Sequence, residues 1–267
     1  MSSTHRVVPH RSGMAGIEAM TLFTDHAFPR HTHDQYGIGI MTAGVQKSWS
    51  VIGDVESRAG DVIMVNPGEV HDGRPKDRTP RGWRIMYLDP AVVARELAGE
   101  SIDGEVIIAP VVRDRKLARR VRRLFALIER GPADPLAVEE SLLSCLMTVA
   151  HRHRVNRPAR DAASPAVAAA IRHLDRSPES PATLTALAAI AGVSRFQLLR
   201  GFAREVGVTP HAYVLQKRVG LARRLLAAGR TPGDAALLAG FSDQSHMTRA
   251  FVRFFGVTPG RYRTSIG

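Results

Sequence analysis

The chain has 267 residues, 44% hydrophobic and 23% charged. That composition excludes disordered and fibrous classes, and the length suits two compact domains. No apolar run approaches the ~18–20 residues that span a bilayer, Met1–Pro9 lacks the apolar segment of a signal peptide, and the single Cys145 excludes a disulfide framework or a multi-cysteine zinc site. A reduced, soluble, cytoplasmic protein without membrane contact is expected. The net charge of +12 is unevenly held: residues 1–150 carry 19 Lys+Arg against 19 Asp+Glu, and residues 151–267 carry 18 against 6. A neutral part is joined to one suited to a polyanion.

In chain order, Tyr36–Met41, Trp49–Ile52, Val62–Val65 and Trp83–Leu88 have strand character. Turn signals separate them at Ala43-Gly44, Gly53-Asp54, Gly60-Asp61 and Pro67-Gly68. Short strands at this spacing predict a small β-barrel or sandwich. Two helices follow, at roughly 114–130 and 136–152. Leu117, Val121, Leu124 and Ile128 form a narrow stripe that suits a seam between two copies, or packing on the chain's own barrel. Arg119, Arg120, Arg122 and Arg123 flank that stripe and read as a solvated face. Leu143, Leu146 and Ala150 continue a similar stripe after the Gly131–Pro135 break. His151–Ser164 is polar and reads as a linker.

The remaining segment contains a repeat. Arg200-x-Phe202, Gly207-Val208-Thr209-Pro210 and Tyr213 recur 49 residues later as Arg249-x-Phe251, Gly256-Val257-Thr258-Pro259 and Tyr262. Each copy reads as helix, tight turn, helix. In the first, Leu184, Leu187, Ala188 and Ala191 have helical spacing, Gly192 closes the helix and Ser194 caps the next. In the second, Ala236 precedes Gly240 by four residues, as Ala188 precedes Gly192, so two helices can approach closely. An apolar stripe from Val214 to Leu226 predicts a connecting helix between the copies. Phe202, Phe251, Tyr213 and Tyr262 are expected in the core.

This repeat, with Gly-Val-Ser before one copy and Gly-Phe-Ser-Asp before the other, resembles the AraC/XylS family of bacterial transcription regulators over about 165–263. His31-x-His33, Gly44, Gly60-Asp61 and Pro67-Gly68-Glu69-x-His71 resemble the small cupin barrel that many members carry. Pro232 and Ala235 depart from the isoleucines usual in the second unit, so its first helix is expected to be shorter or looser. The resemblance implies a two-domain α+β protein. A cupin-like effector-binding barrel would span 1–112, dimerisation helices 113–153, and a linker 154–164. An all-α DNA-binding domain would span 165–267, with helix-turn-helix units at about 184–205 and 232–254. Its implied partners are double-stranded DNA, a small-molecule effector, RNA polymerase and a second copy of the chain. No cofactor is implied.

A recognition helix presents its first turns to base edges. The candidate DNA-binding residues are therefore Ser194, Arg195, Gln197 and Arg200 in the first unit, with Asp243, Gln244, Ser245, Thr248 and Arg249 in the second. Arg200 and Arg249 repeat, so backbone anchoring or architecture suits them; Arg195, Gln197, Gln244 and Thr248 suit base reading. Effector-binding candidates are His31, His33, Tyr36, Trp49, His71 and Trp83, with Tyr87 another possible wall. His31, His33 and His71 match three of the four metal-binding positions of catalytic cupins. The fourth falls at Gly37, which supplies no ligand. The expected function is an effector-responsive DNA-binding regulator and not an enzyme; the alternative is a metal-dependent cupin enzyme fused to a nucleic-acid-binding domain, which the missing ligand disfavours.

Overall fold

A computed structural model describes residues 4–10, 12–50, 53–98, 108–129, 135–155 and 163–266. Most of the expected 154–164 linker lies outside the described residues. The chain forms two compact units, one of Met1–Phe28 and Thr32–Arg157, the other of Pro29–His31 and Pro158–Ser265; Phe28–His31 is a strand of the smaller sheet and is described with it. Among the described residues no helix is long and apolar enough to cross a membrane.

The first unit holds two sheets. The larger runs β1 (His5–His10), β2 (Ile17–Thr24), β9 (Arg81–Leu88), β4 (Tyr36–Ala43), β7 (Val62–Val65) and β10 (Val111–Val112). The smaller runs β3 (Phe28–His31), β8 (His71–Pro75), β5 (Val45–Ser50) and β6 (Gly53–Arg58). The sheets share no ladder among the described residues, so of the barrel or sandwich that the strand spacing predicts the two-sheet form is observed, and the cupin barrel implied by the resemblance is corrected to sheets that do not close. The break has a local cause at the end of β4. Its register against β9 shifts between Met41 and Ala43, and Gly44 then turns the chain at φ 67°. A Cβ at Gly44 would fall 2.6 Å from the Pro80 carbonyl oxygen, so only glycine fits this corner. Past it, β5 pairs with β6 and β8. Arg81, fully buried on β9, ties the sheets together. Its guanidinium donates to the carbonyls of Thr24 and His26 on one side, and to Gly73 and the Gln46 side chain on the other.

Helices α1 (Pro90–Glu96), α2 (Arg115–Glu129) and α3 (Pro135–Arg152) complete the unit. Ile17, Ala19, Ile38, Ile40, Met86 and Leu88 from the large sheet form one cluster with side chains from all three helices. The α2 stripe lies inside it, Leu117 and Val121 at 0% exposure and Leu124 at 1%. Of its two sequence readings, packing within the chain is the one observed. Ala118 and Phe125 widen the stripe into a broad globular face, whereas a coiled-coil seam would stay narrow. Cys145 lies in the same core, where burial pushes its thiol up to about 12, so it is an inert packing residue.

The second unit is all helical: α4 (Pro165–Arg176), α5 (Leu184–Ala191), α6 (Arg195–Val206), α7 (Pro210–Ala227), α8 (Pro232–Leu238), α9 (Gln244–Phe255) and α10 (Pro259–Ile266). The repeated Gly-Val-Thr-Pro ends both α6 and α9. Gly207 (φ 85°) and Gly256 (φ 72°) supply left-handed C-caps, while Thr209 and Thr258 accept hydrogen bonds from the first turns of the following helices. Gly201, an unfavourable residue inside α6, is explained by packing: a Cβ there would come 3.2 Å from Val167 of α4. Phe202, Phe251, Tyr213 and Tyr262 are all buried. With Pro232 at its first position, α8 has 7 residues against 8 in α5.

Candidate functional site

Two regions of the described residues gather chemistry. The first is the duplicated α5–α6 and α8–α9 pair. Leu198, Phe202 and Val206 form the buried stripe of α6, and Met247, Phe251 and Phe254 that of α9. Their opposite faces are open. Arg195, Phe196, Gln197, Leu199 and Arg200 are exposed on α6, as are Gln244, Ser245 and Arg249 on α9, with Thr248 half-buried.

Hydrogen bonding divides these candidates. Ser194 and Gln197 form a capping box: the Gln197 N–H donates to Ser194 Oγ at 3.2 Å, and the Ser194 N–H donates to Gln197 Oε1 at 2.9 Å. Asp243 caps α9, its Oδ1 accepting the His246 N–H at 2.7 Å. Those N–H and Ser242 hydroxyl bonds favour the carboxylate and hold its pKa below the usual range. Ser194, Gln197 and Asp243 therefore fix the starts of the recognition helices, a role the sequence reading had not given Gln197. Arg195, Gln244, Ser245 and Thr248 have no such duty. Arg200 lies 5.3 Å from the centre of the Phe196 ring. Phe196, at 66% exposure, is the residue sequence reasoning missed. The signal was present, because the 198-202-206 stripe puts position 196 on the other side of the helix.

The second region lies in the first unit. His31 ends β3, His71 begins β8, and His33 sits in the turn after β3. The Gly68 N–H donates to the His33 carbonyl at 2.7 Å, tying the His31-x-His33 segment to the Pro67-Gly68 turn that leads into His71. The result is a cluster in which one ring nitrogen of each histidine lies within 4.8 Å of the others. Nδ1 of His31 is 2.6 Å from the Pro29 carbonyl and Nδ1 of His71 is 3.1 Å from that of Glu69. Donation from Nδ1 to a carbonyl makes Nε2 the lone-pair nitrogen of each ring. Burial pushes His71 below its ordinary pKa, against the Glu69 carbonyl, which raises it; the neutral imidazole is favoured. The His33 ring lies 5.2 Å from His71 and 4.9 Å from Tyr87.

Three imidazoles in this arrangement could hold a transition metal with open positions. Gly37 supplies no fourth ligand, and it packs closely, since a Cβ there would meet Val65 at 3.1 Å and Ile85 at 3.2 Å. Three expected wall residues do not join the cluster. Tyr36 is buried in the core that the helices cover. Trp49 precedes Ser50, the residue opposite His71, so it points to the other face of the small sheet. Trp83 shares the Tyr87 face of β9 but packs 6.0 Å from Phe28 and 5.1 Å from the Arg81 guanidinium.

A sheet-rich unit carrying a cluster of three histidines is thus joined to a helical unit with two helix-turn-helix pairs whose second helices are exposed. Comparison with known proteins agrees. Residues 12–146 match the AraC-like ligand binding domain and residues 187–265 a helix-turn-helix domain. The uncharacterised regulator YbfI of Bacillus subtilis is 28% identical over 224 residues, covering 82% of this chain and 81% of YbfI. The transcriptional activator NphR of Rhodococcus is 42% identical over 82 residues, 30% of this chain and 24% of NphR. Crystal structures of ToxT from Vibrio cholerae share the fold, one with a TM-score of 0.57 at 10% identity over 99% of this chain and 98% of that one. The chain belongs to the AraC family of transcriptional regulators, and its domains and relatives are those of a regulator, not an enzyme.

Proposed function

We propose that this regulator reads a bipartite operator with α6 and α9, and that a small polar effector held by His31, His33, His71 and Tyr87 sets its output. The observation that carries the DNA reading is the recurrence, 49 residues apart, of one exposed recognition face on one buried stripe. Two such units on the α7 connector suit successive turns of one duplex face, ~34 Å apart. Arg195, Gln244, Ser245 and Thr248 contact base edges; Arg200 and Arg249 contact phosphates. The effector reading rests on the histidine cluster and on the ligand-binding family of this unit. One ToxT structure is described with a bound unsaturated fatty acid. Here three imidazoles and a phenol favour a ligand with polar groups. Such a ligand acts through unequal affinity for two states of the protein. A cytoplasmic homodimer working with RNA polymerase belongs to the same reading on family resemblance, its seam sought away from the α2 stripe that is buried within the chain.

The test is selection of the full chain on randomised duplexes, followed by a metabolite screen in a reporter strain carrying the selected operator. Two half-sites about one helical turn apart are expected. His71→Ala should abolish the reporter response while the purified protein still shifts operator DNA. A single half-site, or a normal response from a well-folded His71→Ala protein, would overturn the reading.

A further inference from the structure

The helix α2 breaks the rules that stabilise helices, and it does so on one side. Residues 113–123 hold seven Lys+Arg against the single Asp114. Its first turn carries Arg115 and Lys116 and no acidic residue, where the helix dipole disfavours cations. Arg115–Arg119, Lys116–Arg120, Arg119–Arg122 and Arg119–Arg123 are like-charge neighbours three or four residues apart, each of them destabilising. The buried Leu117, Val121 and Leu124 hold the helix in place regardless. A cost of this kind, paid at one face only, is expected where that face serves a ligand.

The face also has shape. Arg113, Arg115, Arg119 and Arg122 line a cleft of about 640 Å³ together with Ala59, Gly60 and Ala118. Gly60 (φ 97°) brings the turn before Asp61 close to α2: a Cβ there would be 4.0 Å from the Arg122 guanidinium. Both acids at the cleft already have partners other than Arg115, Arg119 and Arg122. Asp61 accepts the Arg58 N–H at 2.9 Å and lies 3.7 Å from Arg113. Asp114 caps α2 through the Lys116 and Leu117 N–H groups and lies 3.0 Å from His153. Arg115, Arg119 and Arg122 are exposed and have no carboxylate within ion-pair distance among the described residues. Arg120, by contrast, donates to Thr148.

We propose that this cleft binds an organic phosphate bearing two to three negative charges, of the nucleoside diphosphate class, at a site separate from the histidine cluster. Three guanidiniums without a carboxylate partner among the described residues match that charge, and their planar forks suit phosphate oxygens bidentately. The volume lies within the ~300–1,000 Å³ of small-molecule sites, so the ligand has a body beyond its phosphates. Bound there, the anion relieves the repulsion along α2 and stabilises the first unit by mass action.

The test is calorimetric titration of the full chain, without DNA and at fixed ionic strength, with ADP, pyrophosphate and citrate. The double variant Arg119→Gln/Arg122→Gln should weaken ADP and pyrophosphate binding by roughly tenfold or more. The charge-matched control is Lys116→Gln/Arg123→Gln, on residues that border only the neighbouring cleft, and it should leave binding within about twofold. Both variants remove like-charge neighbours, so neither should melt below the parent protein. Equal loss in the two variants would show general charge attraction and overturn the site. Citrate binding as tightly as pyrophosphate would overturn the phosphate class. Loss of duplex affinity in the first variant with diphosphate binding unchanged would make the face a DNA contact instead.

Discussion

The two helix-turn-helix units are one design executed twice, and their differences separate scaffold from surface. At the 49-residue offset, Leu198 meets Met247 and Phe202 meets Phe251, both buried; Gly207 meets Gly256, both left-handed C-caps; Arg200 meets Arg249. The outward row diverges, with Arg195 against Gln244, Phe196 against Ser245 and Leu199 against Thr248. The turns diverge too. Gly192 stands two residues before the Ser194 cap, whereas Gly240 stands three before Asp243. The buried repeats build the fold, the exposed Arg200 and Arg249 repeat on the outward face, and the rest of that face varies.

The largest expected effect tests the shared scaffold. Phe202→Ala and Phe251→Ala should each destabilise the second unit by ~3–5 kcal/mol, as for other buried aromatic truncations. Urea denaturation followed by far-ultraviolet circular dichroism measures it. A cost below ~1 kcal/mol at either site would mean that the two stripes are not equivalent cores.

The outward row comes next. Phe196 offers an apolar face suited to a thymine methyl, and nothing in the second unit matches it. Phe196→Ala should relax preference in one half-site only, costing ~1–3 kcal/mol on the preferred sequence. Arg249→Ala should weaken all sequences evenly and lower the salt slope by about one phosphate contact. Binding selections on randomised half-sites at two salt concentrations check both. A changed base profile for Arg249→Ala with an unchanged one for Phe196→Ala would reverse the roles.

Much of this second unit was legible because its signals are local. Ser194, Thr209 and Gly207 announce helix ends by their own chemistry, and the offset exposes the repeat. The first unit was less so. Tyr36–Met41, Val62–Val65 and Trp83–Leu88 read as strands because they are dense in large apolar residues. In β2, Ile17–Thr24 interleaves Glu18 and Thr21 with apolar residues and reads as no clear run; pairing with β1 and β9 makes it a strand. Closure of the barrel was beyond local reading, since it fails through one register shift and one glycine corner between β4 and β5. The histidine cluster was recognisable from its spacing, but its wall residues were not. Period-two alternation sends Tyr36 and Trp49 to faces that only the register with β9 and β8 reveals.

Gln197 sharpens the comparison at smaller amplitude, because it stands opposite His246 and alone supplies a capping-box amide. Gln197→Ala should cost ~0.5–2 kcal/mol through the cap, with any loss of base preference added to it. Gln197→Glu keeps the capping acceptor and removes the amide donor. If the residue serves the helix start alone, the glutamate variant recovers the stability and the operator profile of the parent. Recovery of stability with a changed profile at one base pair would give Gln197 both duties.

The smallest effect lies in the caps themselves, since Asp243 titrates and Ser194 does not. The His246 N–H and Ser242 hydroxyl hold the Asp243 carboxyl below its ordinary value of 3.8. A carboxylate depressed in the folded state binds fewer protons there than in the unfolded state. Its contribution is therefore complete above pH ~3.8 and declines as pH falls through the lower folded value. The first turn of α9 should lose hydrogen-exchange protection across that window while the first turn of α6 does not. Asp243→Asn keeps a good cap without a titrating group and should flatten the α9 response. If α6 and α9 fray together in acid, or if the asparagine variant retains the full pH dependence, the difference between the units does not lie in their caps.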